Sequence, residues 1–423
     1  MWDCFPPEIY DEILQRLPVK TLVRCACVCK SWNSLIKNPS FATEHLNRTT
    51  TSDSSNSSSN GDLLLLRQYF GKNERERYSL RRDNRTLDEF APLEFPFKAH
   101  SSNYIFRIVG SCNGVLCLSD DLKVYADVII LWNPSIRKFV TLPKPNVTYY
   151  THGPHWFSLG FGFDARSNDY KVVKLLYPDI DDDKDEAVPE VELYSLSTGA
   201  WRGITPACGP FTVHASKRSQ VFMNGAVHWP ASLLYRDNSN SNFILSFDLG
   251  DEVFRKMNLP ESLVHEKGRG LSIVELRGSL SVFTFAPYGR FCSIWVMGEY
   301  GVSETWSKQF TIHGEAGFLT PLSLRKNGEI LVATRERLVS YHPETQWIIG
   351  LAICGTKDSF YLDTYKESLV LFEKESCGAK RKARRVDPGG TKRPSELHDH
   401  TYLSLFFFLF SVLLILFTLD TWY

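Results

Sequence analysis

The sequence predicts a mainly β chain: a propeller of about six blades behind a small all-α N-terminal module, with a hydrophobic helix near the C-terminus. Three observations predict it. Short apolar runs alternate with turn residues from residue 62 onward. Tight-turn pairs recur at Asn113-Gly114, Asn168-Asp169, Asn224-Gly225, Arg277-Gly278 and Asn327-Gly328, in steps of 55, 56, 53 and 50 residues. Residues 1–46 instead place their apolar side chains at helical spacing.

The N-terminal module comes first. Ile9, Ile13, Leu14 and Leu17 fall on one face of a helix, with Pro6 and Pro7 in its first turn and Pro18 at its end. A second apolar series runs Leu22, Cys25, Ala26, Val28, Cys29, Trp32, Leu35, Ile36, and suits one or two short helices ending before Pro39. A module this small buries too little surface to stand alone, so its excess apolar residues are offered to a partner. Cys25, Cys27 and Cys29 lack a second ligand pair at zinc spacing, which favours small core residues over a metal site. No signal-peptide pattern opens the chain, so reduced thiols are expected.

Residues 47–62 are almost entirely Ser, Thr, Asn, Asp and Gly and read as a flexible linker. The repeats follow, within a propeller domain spanning 63–375. After each tight turn come a second strand, a variable loop, and a third strand bearing Trp132, Tyr194, Phe247, Trp295 or Tyr341. A fourth strand opens on or soon after Phe139, Trp201, Phe254, Trp306 or Trp347. Asn-Gly is the strongest short hairpin signal because both residues tolerate positive φ. Four strands about every 50 residues are a propeller blade. Strand-like runs are left at both ends, 63–69 and 78–80 before, 360–365 and 369–372 after. Joined, they make a sixth blade and remove the exposed edges of the ring. Trp132, Trp229 and Trp347 are expected in the core.

The N-terminal stretch resembles an F-box. Phe5-Pro6-Pro7-Glu8-Ile9, Ile13-Leu14-Gln15-Arg16-Leu17-Pro18, Val28-Cys29-Lys30-Ser31-Trp32 and Pro39-Ser40-Phe41 carry the resemblance, with Phe5 where leucine is usual. It implies docking to a Skp-type adaptor, and through it to cullin and RING subunits. The adaptor-binding positions it implies are Pro6, Ile9, Leu14, Leu17, Pro18, Leu22, Val28 and Trp32; Ile13 joins them from the same helix face. The rest is similar to the plant F-box-associated domains, which are kelch-related. The matching pieces are Gly110-Ser111-Cys112-Asn113-Gly114-Val115-Leu116, Leu131-Trp132-Asn133-Pro134-Ser135, Gly160-Phe161-Gly162-Phe163-Asp164, Asp169-Tyr170-Lys171-Val172-Val173 and Asn224-Gly225-Ala226-Val227-His228-Trp229. That family includes immune regulators and pollen self-incompatibility receptors of differing targets. The resemblance therefore implies a non-catalytic substrate receptor of a ubiquitin ligase and leaves its protein target unnamed.

Loops between second and third strands, at 119–127, 178–189, 232–242 and 286–291, are expected to share one end of the ring. The second holds Asp179, Asp181, Asp182, Asp183, Asp185 and Glu186, a set that suits a basic target or a solvated loop. Tyr149, Tyr150, His152, His155 and Trp156 are candidate target anchors, with packing over a blade junction as the competing reading. No phosphate loop, nucleophile elbow or paired-histidine motif marks an enzyme, and no cofactor or catalytic residue is implied. The formal charge is zero, and neither local charge bias covers a domain, so no nucleic-acid surface is expected.

A basic linker occupies 376–400, including Lys380-Arg381-Lys382-Ala383-Arg384-Arg385 and Lys392-Arg393. Residues 401–419 then carry no charge over 19 positions, enough to span a bilayer. The expected location is cytoplasm or nucleus, with tail anchoring facing the cytosol as one reading and a nuclear-localisation patch as another. A membrane-tethered scaffold outside the ubiquitin system is the alternative function.

Overall fold

The computed structural model describes residues 7–52, 63–70, 75–95, 106–120, 128–153, 155–178, 189–205, 211–213, 220–234, 240–265, 271–285, 291–313, 320–356 and 359–371. Four helices lead: α1 (Pro7–Gln15), α2 (Val19–Cys25), α3 (Lys30–Ile36) and α4 (Pro39–Ser52). The fourth extends the expected module and takes in residues 47–52 of the expected linker. Asn38 Oδ1 accepts from Ser40 N at 2.9 Å, and Pro39 takes the first helical position, where its missing N–H costs nothing. Arg48 then pairs with Glu12 at 2.6 Å, tying α4 back to α1.

Six antiparallel sheets follow. β1 (Leu63–Phe70), β2 (Arg75–Arg82) and β3 (Glu89–Leu93) belong to the closing blade. Blade one is β4 (Arg107–Cys112), β5 (Val115–Ser119), β6 (Ile129–Asn133) and β7 (Lys138–Thr141). After a short helix, α5 (Tyr149–His152), blade two is β8 (His155–Asp164), β9 (Asp169–Pro178), β10 (Glu190–Ser195) and β11 (Ala200–Ile204). Blade three starts with β12 (Thr212–Val213) and β13 (Val221–Met223), which both pair with β14 (Ala226–Leu234). It ends with β15 (Asn240–Asp248) and β16 (Val253–Asn258), before α6 (Glu261–Val264). Blade four is β17 (Ser272–Leu276), β18 (Ser279–Phe285), β19 (Phe291–Met297) and β20 (Trp306–His313). Blade five is β21 (Thr320–Leu324), β22 (Ile330–Ala333), β23 (Arg337–Tyr341) and β24 (Ile348–Cys354).

β25 (Tyr361–Tyr365) completes the sixth sheet, pairing with β1 in the register Leu63↔Tyr365 to Arg67↔Tyr361. The sixth blade therefore does combine both ends, three strands from one and one from the other. Arg67 crosses this seam: its guanidinium pairs with Glu76 at 2.5 Å and donates to Ser359 O at 2.8 Å. Residues 369–371 form no strand, contrary to expectation.

Each expected tight turn joins the first and second strands of its blade. Asn113, Asn168, Asn224 and Arg277 have φ near 51°, and Gly328 has φ 86°. The third-strand aromatics sit where expected, and Trp132↔Phe139, Tyr194↔Trp201 and Phe247↔Phe254 face each other across neighbouring strands. Such cross-strand pairs are the unit of sheet stabilisation. Adjoining blades interlock through the motif residues. A Cβ on Gly160 would collide with the Trp229 ring, so glycine lets blade two close on blade three. Lys171 Nζ bridges the same seam, donating to Asp164 at 2.9 Å, Leu249 O at 2.7 Å and Glu252 at 3.0 Å.

Two further expectations change. Trp132 and Trp229 are core, at 1% and 2% exposure, whereas Trp347 is 73% exposed. It precedes the outermost strand of its blade and has no next strand to cover it. The expected loop 232–242 is mostly strand, because β14 runs to Leu234 and β15 starts at Asn240. The expected C-terminal helix at 401–419 lies outside the described residues. Among the described residues, no helix is long and apolar enough to cross a membrane.

Candidate functional site

The helical module sorts its predicted adaptor residues by burial. Leu14 and Leu22 are core, at 2% and 0% exposure, packed with Val19, Cys25, Ile36 and Phe41. Ile9 and Val28 stay outside, at 42% and 38%. Pro18 is exposed, while Ile13, Leu17 and Trp32 are half-buried. Pro6 lies outside the described residues. Polar contacts fix the helix positions. Gln15 Nε2 donates to Phe41 O at 3.3 Å, and His45 Nε2 contacts Leu17 O at 2.8 Å. Cys29 caps α3, its sulfur accepting from Trp32 N at 3.5 Å, which gives that cysteine a structural task. Hydrogen bonds from Arg48, then from Arg16, hold the Glu12 carboxyl at about 2. A buried core thus carries an outward apolar surplus, the arrangement of a docking module.

Of the predicted target anchors, His152, His155 and Trp156 lie at one end of blade two. The connection leading to α5 is bound to that blade by two buried side chains that the sequence reading missed. Glu192 accepts from Asn146 N at 2.9 Å and Val147 N at 3.2 Å. Lys174 Nζ donates to Val147 O at 3.0 Å and lies 5.1 Å from the Phe157 ring centre. Burial pushes the Lys174 ammonium down to about 8, against the pull of Glu192. Trp201 Nε1 adds a bond to Pro143 O at 2.8 Å. The only sequence signal for the pair is charge inside apolar strands, Lys174 in Val172-Val173-Lys174-Leu175 and Glu192 in Val191-Glu192-Leu193.

On this support His152 is exposed, its Nε2 3.7 Å from Glu190 Oε2. His155 is buried and contacts Gly153 O through Nδ1 at 2.9 Å, and burial lowers its pKa. Trp156 stacks on Tyr177, with centroids 4.0 Å apart and planes 13° apart. His155 and Trp156 thus spend much of their surface on packing. The side chains of Tyr149 and Tyr150 lie outside the described residues, as do Asp181, Asp182 and Asp183. The ends of that acidic loop are placed: Pro178 is opposite His155, and Glu190 returns beside His152. His152, His155 and Glu190 therefore share one rim of blade two. Among the described residues no group of three or more His, Cys, Asp or Glu is arranged to hold a metal.

A small helical module ahead of a closed six-sheet ring defines a propeller protein with an N-terminal helical domain. The chain belongs to the F-box-associated β-propeller family. The F-box associated beta propeller domain matches residues 79–386, and the F-box domain matches residues 2–43. Among relatives from Arabidopsis thaliana, it is similar to the F-box/kelch-repeat protein At3g23880, 29% identical over 85% of this chain and 94% of the relative. F-box protein At3g07870 is 28% identical over 88% and 93%, and F-box protein CPR1 28% over 86% and 88%.

Proposed function

We propose that this chain is the substrate-receptor subunit of a Skp–cullin–F-box ubiquitin ligase. The F-box binds a Skp-type adaptor, which brings cullin and RING subunits. The propeller holds a protein target at the rim of His152, His155 and Trp156. The mechanism is proximity: target lysines are kept near a charged ubiquitin-conjugating enzyme, which raises their effective concentration. The receptor does no chemistry and needs no cofactor in this reading. One observation carries it: the helical module buries Leu14 and Leu22 yet leaves Ile9 and Val28 in water. The test is co-purification with a Skp-type adaptor, wild type beside a Leu17→Ala, Pro18→Ala, Trp32→Ala variant. Binding lost in the folded variant supports the receptor role, and no binding by folded wild type ends it.

The 19 uncharged residues at 401–419 favour a second reading of where it works. In it the chain acts in the cytoplasm or nucleus, or tethered to a membrane through this segment, as a scaffold if the adaptor is not engaged. Carbonate extraction of the full chain decides: release into the supernatant sinks the anchor.

A further inference from the structure

After β25 closes the ring, the chain turns back through residues 366–371 and joins three parts of the molecule. Asn133 Nδ2, on the last residue of β6, donates to Ser368 O at 3.0 Å, Ser368 Oγ at 3.1 Å and Val370 O at 2.8 Å. Ser135 Oγ bonds Tyr365 OH at 2.7 Å and accepts from Ser368 N at 3.4 Å. The Asn113-Gly114 turn abuts the same segment, since a Cβ on Gly114 would sit 2.5 Å from Lys366 O. The segment then sends alternate leucines into different cores. Leu371, at φ 72° and 6% exposure, packs with Val109, Val115 and Leu131 beneath blade one. Leu369, at 2% exposure, enters the F-box core beside Leu14, Leu22, Ile36 and Phe41. Ile136, in the turn after β6, packs against that core as well.

We infer that Leu369 is a positioning residue that locks the F-box to the propeller at a set orientation. Among the described residues Leu369 is the one propeller residue fully inside the F-box core cluster, and it is reached through the strand that closes the ring. A non-glycine residue at left-handed φ persists where its surroundings over-determine it, and Leu371 is such a residue. The consequence is mechanical. Ten residues, 53–62, separate α4 from β1, and a chain of that length with no other tie between its ends would let them range over about 17 Å. With Leu369 seated, the vector from adaptor to bound target becomes a property of the fold, and effective concentration follows from that vector. The use of this lock for ubiquitin transfer rests on the receptor reading; the lock itself does not.

Single-molecule energy transfer tests it in the full chain, with dyes on unnatural amino acids at the exposed positions Arg24 and Lys308. Wild type, Leu369→Ser and Leu369→Met are compared, free and with a Skp-type adaptor, which holds the F-box folded. The expected result is one narrow distance peak for wild type and Leu369→Met. Leu369→Ser is expected to spread over roughly 15 Å, with propeller melting unchanged. A Leu369→Ser peak as narrow as wild type overturns the inference. So does a loss of propeller melting in that variant, which would make Leu369 a core residue of the ring. If wild type binds no adaptor, the receptor reading fails, while the free-chain distances still decide the lock.

Discussion

Truncating Ile9 and Val28 together to alanine should weaken adaptor binding without weakening the fold. Both side chains are apolar and remain in water, at 42% and 38% exposure. Fully burying an Ile or Val side chain contributes about 1.5–3 kcal/mol. Two-fifths of that remains to be gained on docking, or about 0.6–1.2 kcal/mol for each side chain. Losing both costs about 1–2 kcal/mol of binding, a rise in Kd of about 5- to 30-fold. The same double change should move folding stability by less than about 0.5 kcal/mol for each site, as for other surface substitutions. Leu22→Ala is the contrast, because Leu22 is fully buried. It should cost about 2–5 kcal/mol of F-box stability and weaken binding only by unfolding the module. Calorimetric titration of adaptor into the full chain, with urea unfolding of each variant, separates the two effects. A folded double variant whose Kd stays within about twofold of wild type would refute the view that the outward apolar residues are the docking contacts.

Three other outcomes follow from burial and charge. Burial pushes the Asp363 carboxyl up to about 6, against a hydrogen bond from Tyr361, with the nearby Glu275 carboxylate adding to the push. Its protonated form is favoured in the fold, so that contribution is full below pH 4 and is lost as pH rises through 6. Asp363→Asn should therefore exceed wild type by on the order of 3 kcal/mol above pH 7 and match it near pH 4; an offset constant across pH in urea titrations would contradict this. Glu192→Ala removes the acceptor of Asn146 N and Val147 N and leaves Lys174 buried beside it. It should cost about 3–5 kcal/mol and make residues 143–153 the first site of limited proteolysis, and unchanged cleavage kinetics would count against the anchor. Trp132→Ala should cost about 3–5 kcal/mol, whereas Trp347→Ala should cost less than about 0.5 kcal/mol, as read from denaturant midpoints.

The ring was legible because its repeat unit writes itself in local chemistry. Positive-φ turn residues recur where first and second strands meet, and cross-strand aromatic pairs recur where third and fourth strands face in blades one, two and three. Trp347 misled because it holds the repeat position of a core aromatic, while its side chain stands at the outer margin of blade five. Local pattern encodes a position in the repeat, and only the assembled ring says whether another element covers it. The fourth helix was missed although Asn38-Pro39 carries a capping signal. The polar run after Leu46 masked it, and the Arg48–Glu12 pair that supports it joins residues 36 apart. At that end of blade two, His152 and His155 were chosen by residue type, whereas Lys174 and Glu192 act through a fold-level convergence that no spacing reveals.

The segment 369–371 shows most clearly where a short apolar run stops being evidence for a sheet. Leu369-Val370-Leu371 is continuously apolar, as a buried strand would be, and a strand over 369–372 was the expectation. In the fold its two leucines enter two different cores. Leu369 serves the F-box and Leu371 the propeller, while Asn133 satisfies the Ser368 and Val370 carbonyls that a neighbouring strand would otherwise have bonded. Buried carbonyls need a partner of some kind, and here one asparagine side chain supplies it at a seam too crowded for another strand. Asn133 lies in the Trp132-Asn133-Pro134-Ser135 piece of the family resemblance, where it reads as an ordinary turn residue. Its three bonds hold the segment that carries Leu369 into the F-box core, so the motif that suggested the propeller also supports the joint between F-box and ring.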